Sequence, residues 1–169
     1  VSTIPSFSLQ FSVTNSRYTA LSVKATATGS NQTFDDASTS NHTITVRGNT
    51  TASTFSPYRH GGYSLSLDGE NDYLQVPQTT DLDLTGDFTV ETWVYFNDVA
   101  GDNGFIGKWS GSGFYAWSLY YYSGDFVFFT GNSGAVGTET SFTFGAATAN
   151  QWYHLAVSRT GSTISLYVN

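Results

Sequence analysis

From Gly62 to Asn169 the chain alternates apolar and polar residues in short runs separated by Gly-rich turns. The clearest run, residues 87–96, sends Phe88, Val90, Val94 and Phe96 one way and Glu91, Trp93 and Tyr95 the other. A period of two is the signature of a half-buried strand. The same pattern predicts strands over residues 63–67, 73–76, 104–108, 114–122, 125–130, 152–159 and 163–168. In the last of these, Ile164, Leu166 and Val168 share the buried face, and Asn169 stands where a tight hairpin turn opens. Gly161 sits between two strands in Arg159-Thr-Gly-Ser-Thr163, which reads as a short hairpin loop. No window fits a helical period. Short strands with Gly-rich turns predict an all-β antiparallel sandwich of the jelly-roll kind.

The first part of the chain is less patterned. Phe7, Leu9 and Phe11 alternate with Ser8, Gln10 and Ser12, which predicts one strand. Residues 18–27 read as strand or extended linker, so residues 1–30 form an N-terminal strand and linker segment. Residues 31–62 hold loop chemistry with one strand at 43–47. The domain proper is residues 31–169. Its final strand lacks a returning partner, which predicts a sandwich incomplete at the C-terminus: either the sequence is part of a longer one, or another subunit completes the sheet.

Composition narrows the partners. Net charge is −7 and the six Lys and Arg are scattered, which disfavours nucleic acid and anionic membranes. Charged residues make up 11%, against ~25% in an ordinary soluble protein. Ser, Thr, Asn and Gly must therefore dress the surface. There is no Cys, which excludes thiolate metal sites. No apolar run approaches the ~18 residues of a spanning helix, so membrane insertion by a helix is not expected. Asn31, Asn41 and Asn49 each open an Asn-x-Thr sequon, a glycan acceptor in a secreted eukaryotic protein. The abundance of Asn and Thr also produces such triplets by chance.

Five pieces in order carry a family resemblance: Tyr63-Ser-Leu-Ser-Leu-Asp-Gly69, Asn71-Asp-Tyr-Leu-Gln-Val76, Leu84-Thr-Gly-Asp-Phe-Thr-Val-Glu-Thr-Trp-Val94, Gln151-Trp-Tyr-His-Leu-Ala-Val157 and Ile164-Ser-Leu-Tyr-Val-Asn169. Over about 34–169 the chain resembles the laminin-G-like branch of the concanavalin A-like lectin/glucanase jelly rolls. The run from Thr33 to Tyr58 is similar to the leaders of such domains in structural proteins of marine tailed phages. That resemblance implies a non-catalytic virion module: a fibre, a tail or neck appendage, or a capsid decoration. Its implied partners are other virion subunits, copies of itself (a homo-oligomer) and a host-surface glycan. The alternative is a carbohydrate-binding or adhesion module of a secreted or cell-surface bacterial protein. The resemblance also implies a structural calcium ion held by Asp36 and Asn41, with a further acid beyond Asn169. The acidic turn at 68–72 is a second calcium candidate; a plain Asx-type turn is the competing reading of the Asp36 loop.

The dense aromatic block from Phe105 to Phe129 is the main binding candidate. On the strand at 114–122, residues 115, 117, 119 and 121 share one face and 114, 116, 118, 120 and 122 the other. Both faces carry rings, so one set builds core and the other meets an interface, a groove or solvent. Tyr115, Trp117, Tyr121 and Trp109 are the residues expected to stack on a sugar; a core or subunit contact is the alternative. A glycosidase needs two carboxylates ~5–5.5 Å or ~6.5–9.5 Å apart. Asp87 and Glu91 share a face, but their Cα atoms lie ~13 Å apart on a strand. Glu91 is instead expected to pair with a neighbouring strand. Asp81 and Asp83 fall in a turn. His42, His60 and His154 are isolated, with no zinc-like spacing.

Overall fold

A computed structural model of the chain describes residues 18–25, 33–57, 62–109, 115–131 and 140–169, with backbone alone at Trp109 and Tyr115. The expected strand at 7–13, His60, Asn31 and Phe114 lie outside the described residues. The regular structure of the described residues is β apart from short 3-10 turns such as Thr80–Leu82, with all pairings antiparallel. The chain forms two compact units, 1–81 and 82–169.

The first unit pairs short strands two by two. β1 (Val23–Ala25) pairs with β2 (Phe34–Asp36), β3 (Thr45–Arg47) with β6 (Tyr73–Gln75), and β4 (Thr51–Ser53) with β5 (Ser64–Ser66). The stretch expected to hold one strand therefore holds three, because β2 and β4 are too short to show a period. Asp36 closes the end of β2. Its Oδ1 accepts the backbone N–H groups of Ser22 and Ser38, both at 2.9 Å. Its Oδ2 accepts the Ser38 hydroxyl and the His42 N–H, both at 2.8 Å. Burial alone would raise this carboxyl. The N–H groups of Ser22, His42 and Ser38 and the Ser38 hydroxyl outweigh that and bring it from the ordinary 3.8 down to about 2.

A second acid does the same at the β3–β4 turn. Asp72 accepts N–H groups from Asn49 at 2.7 Å and Asp68 at 3.0 Å. Gly48 lies against it at a φ of 68°, and a Cβ there would come within 2.1 Å of Asp72 Oδ1. Only glycine fits this turn.

The second unit is the sandwich. β7 (Phe88–Tyr95), β12 (Trp152–Thr160) and β13 (Thr163–Val168) form one sheet in the order β13-β12-β7. β8 (Asn103–Trp109), β9 (Tyr115–Tyr122), β10 (Asp125–Thr130) and β11 (Thr140–Ala146) form the other, in the order β11-β10-β9-β8. β11 was not expected from the sequence, since its alternation of Phe with Thr and Ser sits after a Gly-rich run. The two sheets face each other through rings. Phe128 packs on Phe88 at 6.0 Å between centroids, Phe126 on Tyr153 at 5.1 Å, and Phe96 on Tyr121 at 5.1 Å. Leu119, Phe126, Phe128, Leu155 and Val157 are fully buried. The alternation read in 87–96 holds: Val90 and Phe96 are buried, and Glu91 and Trp93 are exposed.

Two outcomes are expected. Phe128→Ala removes a fully buried ring that bridges the sheets and should cost about 3–5 kcal/mol in denaturant unfolding, whereas Tyr122→Ala, at an exposed position, should stay within about 0.5 kcal/mol. Asp36 stabilises the fold only while ionised. Its folded value lies below its unfolded one, so the contribution is full above about pH 4 and lost as pH falls through about 2, worth ~2 kcal/mol. Amide-exchange protection at Ser38 and His42 should fall across that window in the wild type. In Asp36→Asn it should already be low at neutral pH.

Candidate functional site

The sandwich sets the faces of β9 by parity. Trp117 and Tyr121 are 5% and 3% exposed and point inward with Leu119. The Trp117 indole N–H donates to the Leu82 carbonyl at 2.8 Å. Beside it, Lys108 donates to Asp83. Trp117 and Tyr121 are therefore core residues: neighbouring side chains occupy the ring faces that a sugar would need. The expectation that they bind ligand is corrected to that extent. The backbone of Tyr115 pairs with Trp109 at the far end of β8–β9; their side chains lie outside the described residues.

The other parity faces outward. The β9–β10 connection is a two-residue turn, Ser123-Gly124, with φ of 51° and 98°. Positive φ at both positions is the type I′ geometry that suits a twisted hairpin. It sets Tyr122 directly opposite Asp125, Tyr120 opposite Val127, and Ser118 opposite Phe129. β11 continues the rows with Thr143 beside Val127 and Ser141 beside Phe129. On the opposite flank stand Gly104 beside Tyr120 and Gly107 beside Ser118. The result is a ridge of rings with low ground on either side. Tyr120 lies 5.2 Å from Phe129 and 5.7 Å from Tyr122, centroid to centroid. Tyr122 is 49% exposed.

Between this ridge and β11 lies a depression of about 250 Å³. Tyr122, Phe129 and Val127 give it apolar walls; Ser123, Asp125, Ser141 and Thr143 give it hydroxyl and carboxylate groups. A second feature belongs to the same face. Ser118 is buried, and its hydroxyl has no hydrogen-bond partner. Gly107 creates the room for it, since a Cβ at that position would meet Ser118 Cβ at 2.8 Å. An unsatisfied buried hydroxyl is uncommon and calls for a water or a ligand group. The arrangement offers ring faces for an apolar surface, with acceptors and donors beside them. Among the described residues one carboxylate, that of Asp125, lines the cavity.

Three further acids have structural partners. Glu91 Oε2 lies 3.4 Å from His154 Nε2 on the adjacent strand, as the sequence led us to expect. Asp87 accepts the Gly161 N–H at 2.7 Å and holds the β12–β13 hairpin. Asp81 faces His42, with Nε2 at 3.8 Å. Among the described residues no cluster of three or more His, Asp or Glu could hold a metal ion. The calcium expectation at Asp36 and Asn41 meets a donor set that does not fit. Four hydrogen-bond donors converge on the two Asp36 oxygens where a cation would need lone pairs. Asn41 is exposed at a φ of 48°, a turn residue. In the turn at 68–72, the acids accept backbone N–H groups in the same way.

Known proteins share this architecture. No curated protein matches the chain. The binding domain of Paraclostridial Mosquitocidal Protein 1 superposes with a TM-score of 0.64 at 15% identity, over 88% of this chain and 38% of its own. A receptor binding domain superposes with a TM-score of 0.59 at 18% identity, over 91% of this chain and 38% of its own. The chain thus spans well under half the length of either structure, and at these identities the likeness is one of fold. The family model Laminin_G_3, of the concanavalin A-like lectin/glucanases superfamily, matches residues 68–169. With more than half of its length matched and two antiparallel sheets packed through the predicted strands, the chain belongs to the concanavalin A-like lectin/glucanases superfamily.

Proposed function

We propose that the chain is a non-catalytic carbohydrate-binding module, with its sugar site on the outer face of β8–β11. The observation that carries this is the pairing of Tyr122 with Asp125 across the type I′ turn, at the mouth of a cavity that also holds Ser141 and Thr143. A pyranose presents an apolar face and a rim of hydroxyls. Stacking on a phenol ring with a carboxylate alongside satisfies both. Among the described residues a single acid, Asp125, lines the cavity, where hydrolysis uses two carboxylates, which supports binding without turnover. That both superposed structures are binding domains supports the same reading.

For the setting we propose a phage particle, where the module serves attachment to a host-surface glycan or assembly with other virion subunits and copies of itself. The likeness of residues 33–58 to phage structural leaders supports it. The second reading, a module of a secreted or cell-surface bacterial protein, draws on the mosquitocidal and receptor-binding relatives. Mass spectrometry of purified phage particles against the secreted fraction of the host culture separates the two.

The binding claim is tested on a glycan array followed by calorimetry with the best ligand. Tyr122→Ala and Asp125→Asn should each weaken binding about tenfold, equivalent to ~1.4 kcal/mol, with the fold intact by circular dichroism. Unchanged affinity in both variants would contradict the site.

A further inference from the structure

The opposite face of the sandwich carries a second set of rings that the site above does not use. Odd residues of β7 and even residues of β12 alternate onto the outside of the three-stranded sheet. The register sets Tyr95 opposite Trp152, Trp93 opposite His154, and Glu91 opposite Ala156, which in turn stands opposite Tyr167. Trp93 packs on His154 at 5.0 Å, and Tyr95 on Trp152 at 5.4 Å. Trp93 is 42% and Tyr167 54% exposed. Ala156 offers only a methyl between Glu91 and Tyr167, so the surface dips there.

We propose that this face is a second glycan-binding site, taking a neutral, extended oligosaccharide, so that one module holds sugar on both sheets. The ligand class rests on the carbohydrate-binding reading given above. Rings repeat along the strand at ~7 Å for every second residue, which suits successive sugar units. Between them the Glu91 carboxylate and the His154 imidazole supply an acceptor and a donor for hydroxyls. The charge selects the occupant. Glu91 keeps 64% of its side chain exposed, in a chain of net charge −7. Two copies meeting on this face would bring like carboxylates together, and the dry centre of a protein interface is depleted in Glu. An acidic polysaccharide meets the same repulsion. A neutral one does not.

Calorimetric titration of the folded chain with cellohexaose, chitohexaose and laminarihexaose, with an alginate hexamer as the acidic comparison, tests this. The wild type should take about two equivalents of one neutral hexamer and no alginate. Trp93→Ala and Tyr122→Ala should each leave about one equivalent, and the double variant none. Glu91→Gln, a surface change that keeps the fold, should weaken the second site about tenfold while sparing the first. Unit stoichiometry that Trp93→Ala leaves unchanged would overturn the second site and leave the first standing. Unit stoichiometry lost in Trp93→Ala and kept in Tyr122→Ala would support this face and overturn the first. Loss of self-association in Trp93→Ala, with sugar binding unaltered, would overturn the proposal in favour of a subunit contact. No binding of any neutral hexamer by the wild type would overturn the second site, while the first is decided separately by the glycan array.

Discussion

The inward turn of Trp117 fixes everything that follows in the sandwich. Its indole is buried and needs a partner for its N–H, which the Leu82 carbonyl supplies at 2.8 Å. Once that ring is inside, strand alternation puts Leu119 and Tyr121 inside with it, and Ser118, Tyr120 and Tyr122 on the opposite face of the sheet. The type I′ turn then passes the choice to β10: Phe126 and Phe128 turn into the sandwich, and Asp125, Val127 and Phe129 take the other face, where Val127 is itself buried. The candidate site is the outward half of that pattern. A slip by one residue would bury the Asp125 carboxylate and expose two phenylalanines.

Acids in this chain serve the backbone more than they serve solvent. Asp36, Asp72 and Asp87 each accept main-chain N–H groups that short strands and tight turns leave unpaired. Such a role is economical where strands of three residues cannot satisfy their own ends. It also accounts for the fate of the calcium expectation. The Asp36 oxygens are committed to hydrogen bonds within the fold, in the manner of an Asx-type turn.

The sequence made the outer sheet legible and the inner parity of β9 illegible, for one physical reason. β7, β12 and β13 each place aliphatic groups on one face and polar or amphipathic groups on the other, so period two names both the strand and its buried side. β9 carries rings on both faces, so period two names the strand alone. A signal was nonetheless present. Leu119, which has nothing to offer a sugar, shares a face with Trp117 and Tyr121, whereas Ser118 shares one with Tyr120 and Tyr122. That contrast marks Trp117 and Tyr121 as the inward set. The strands at 34–36 and 51–53 carried no comparable signal, because three residues span less than two periods.

The lack of any native cysteine allows a direct test of the β9 parity. Single cysteines introduced as Leu119→Cys, Tyr121→Cys and Tyr122→Cys would each be the only thiol in the folded chain. Their rates of reaction with a water-soluble maleimide report which side meets solvent. Rapid labelling is expected at 122, with protection at 119 and 121 until the chain is unfolded. Rapid labelling at 121 with protection at 122 would invert the faces and remove the basis of the proposed site.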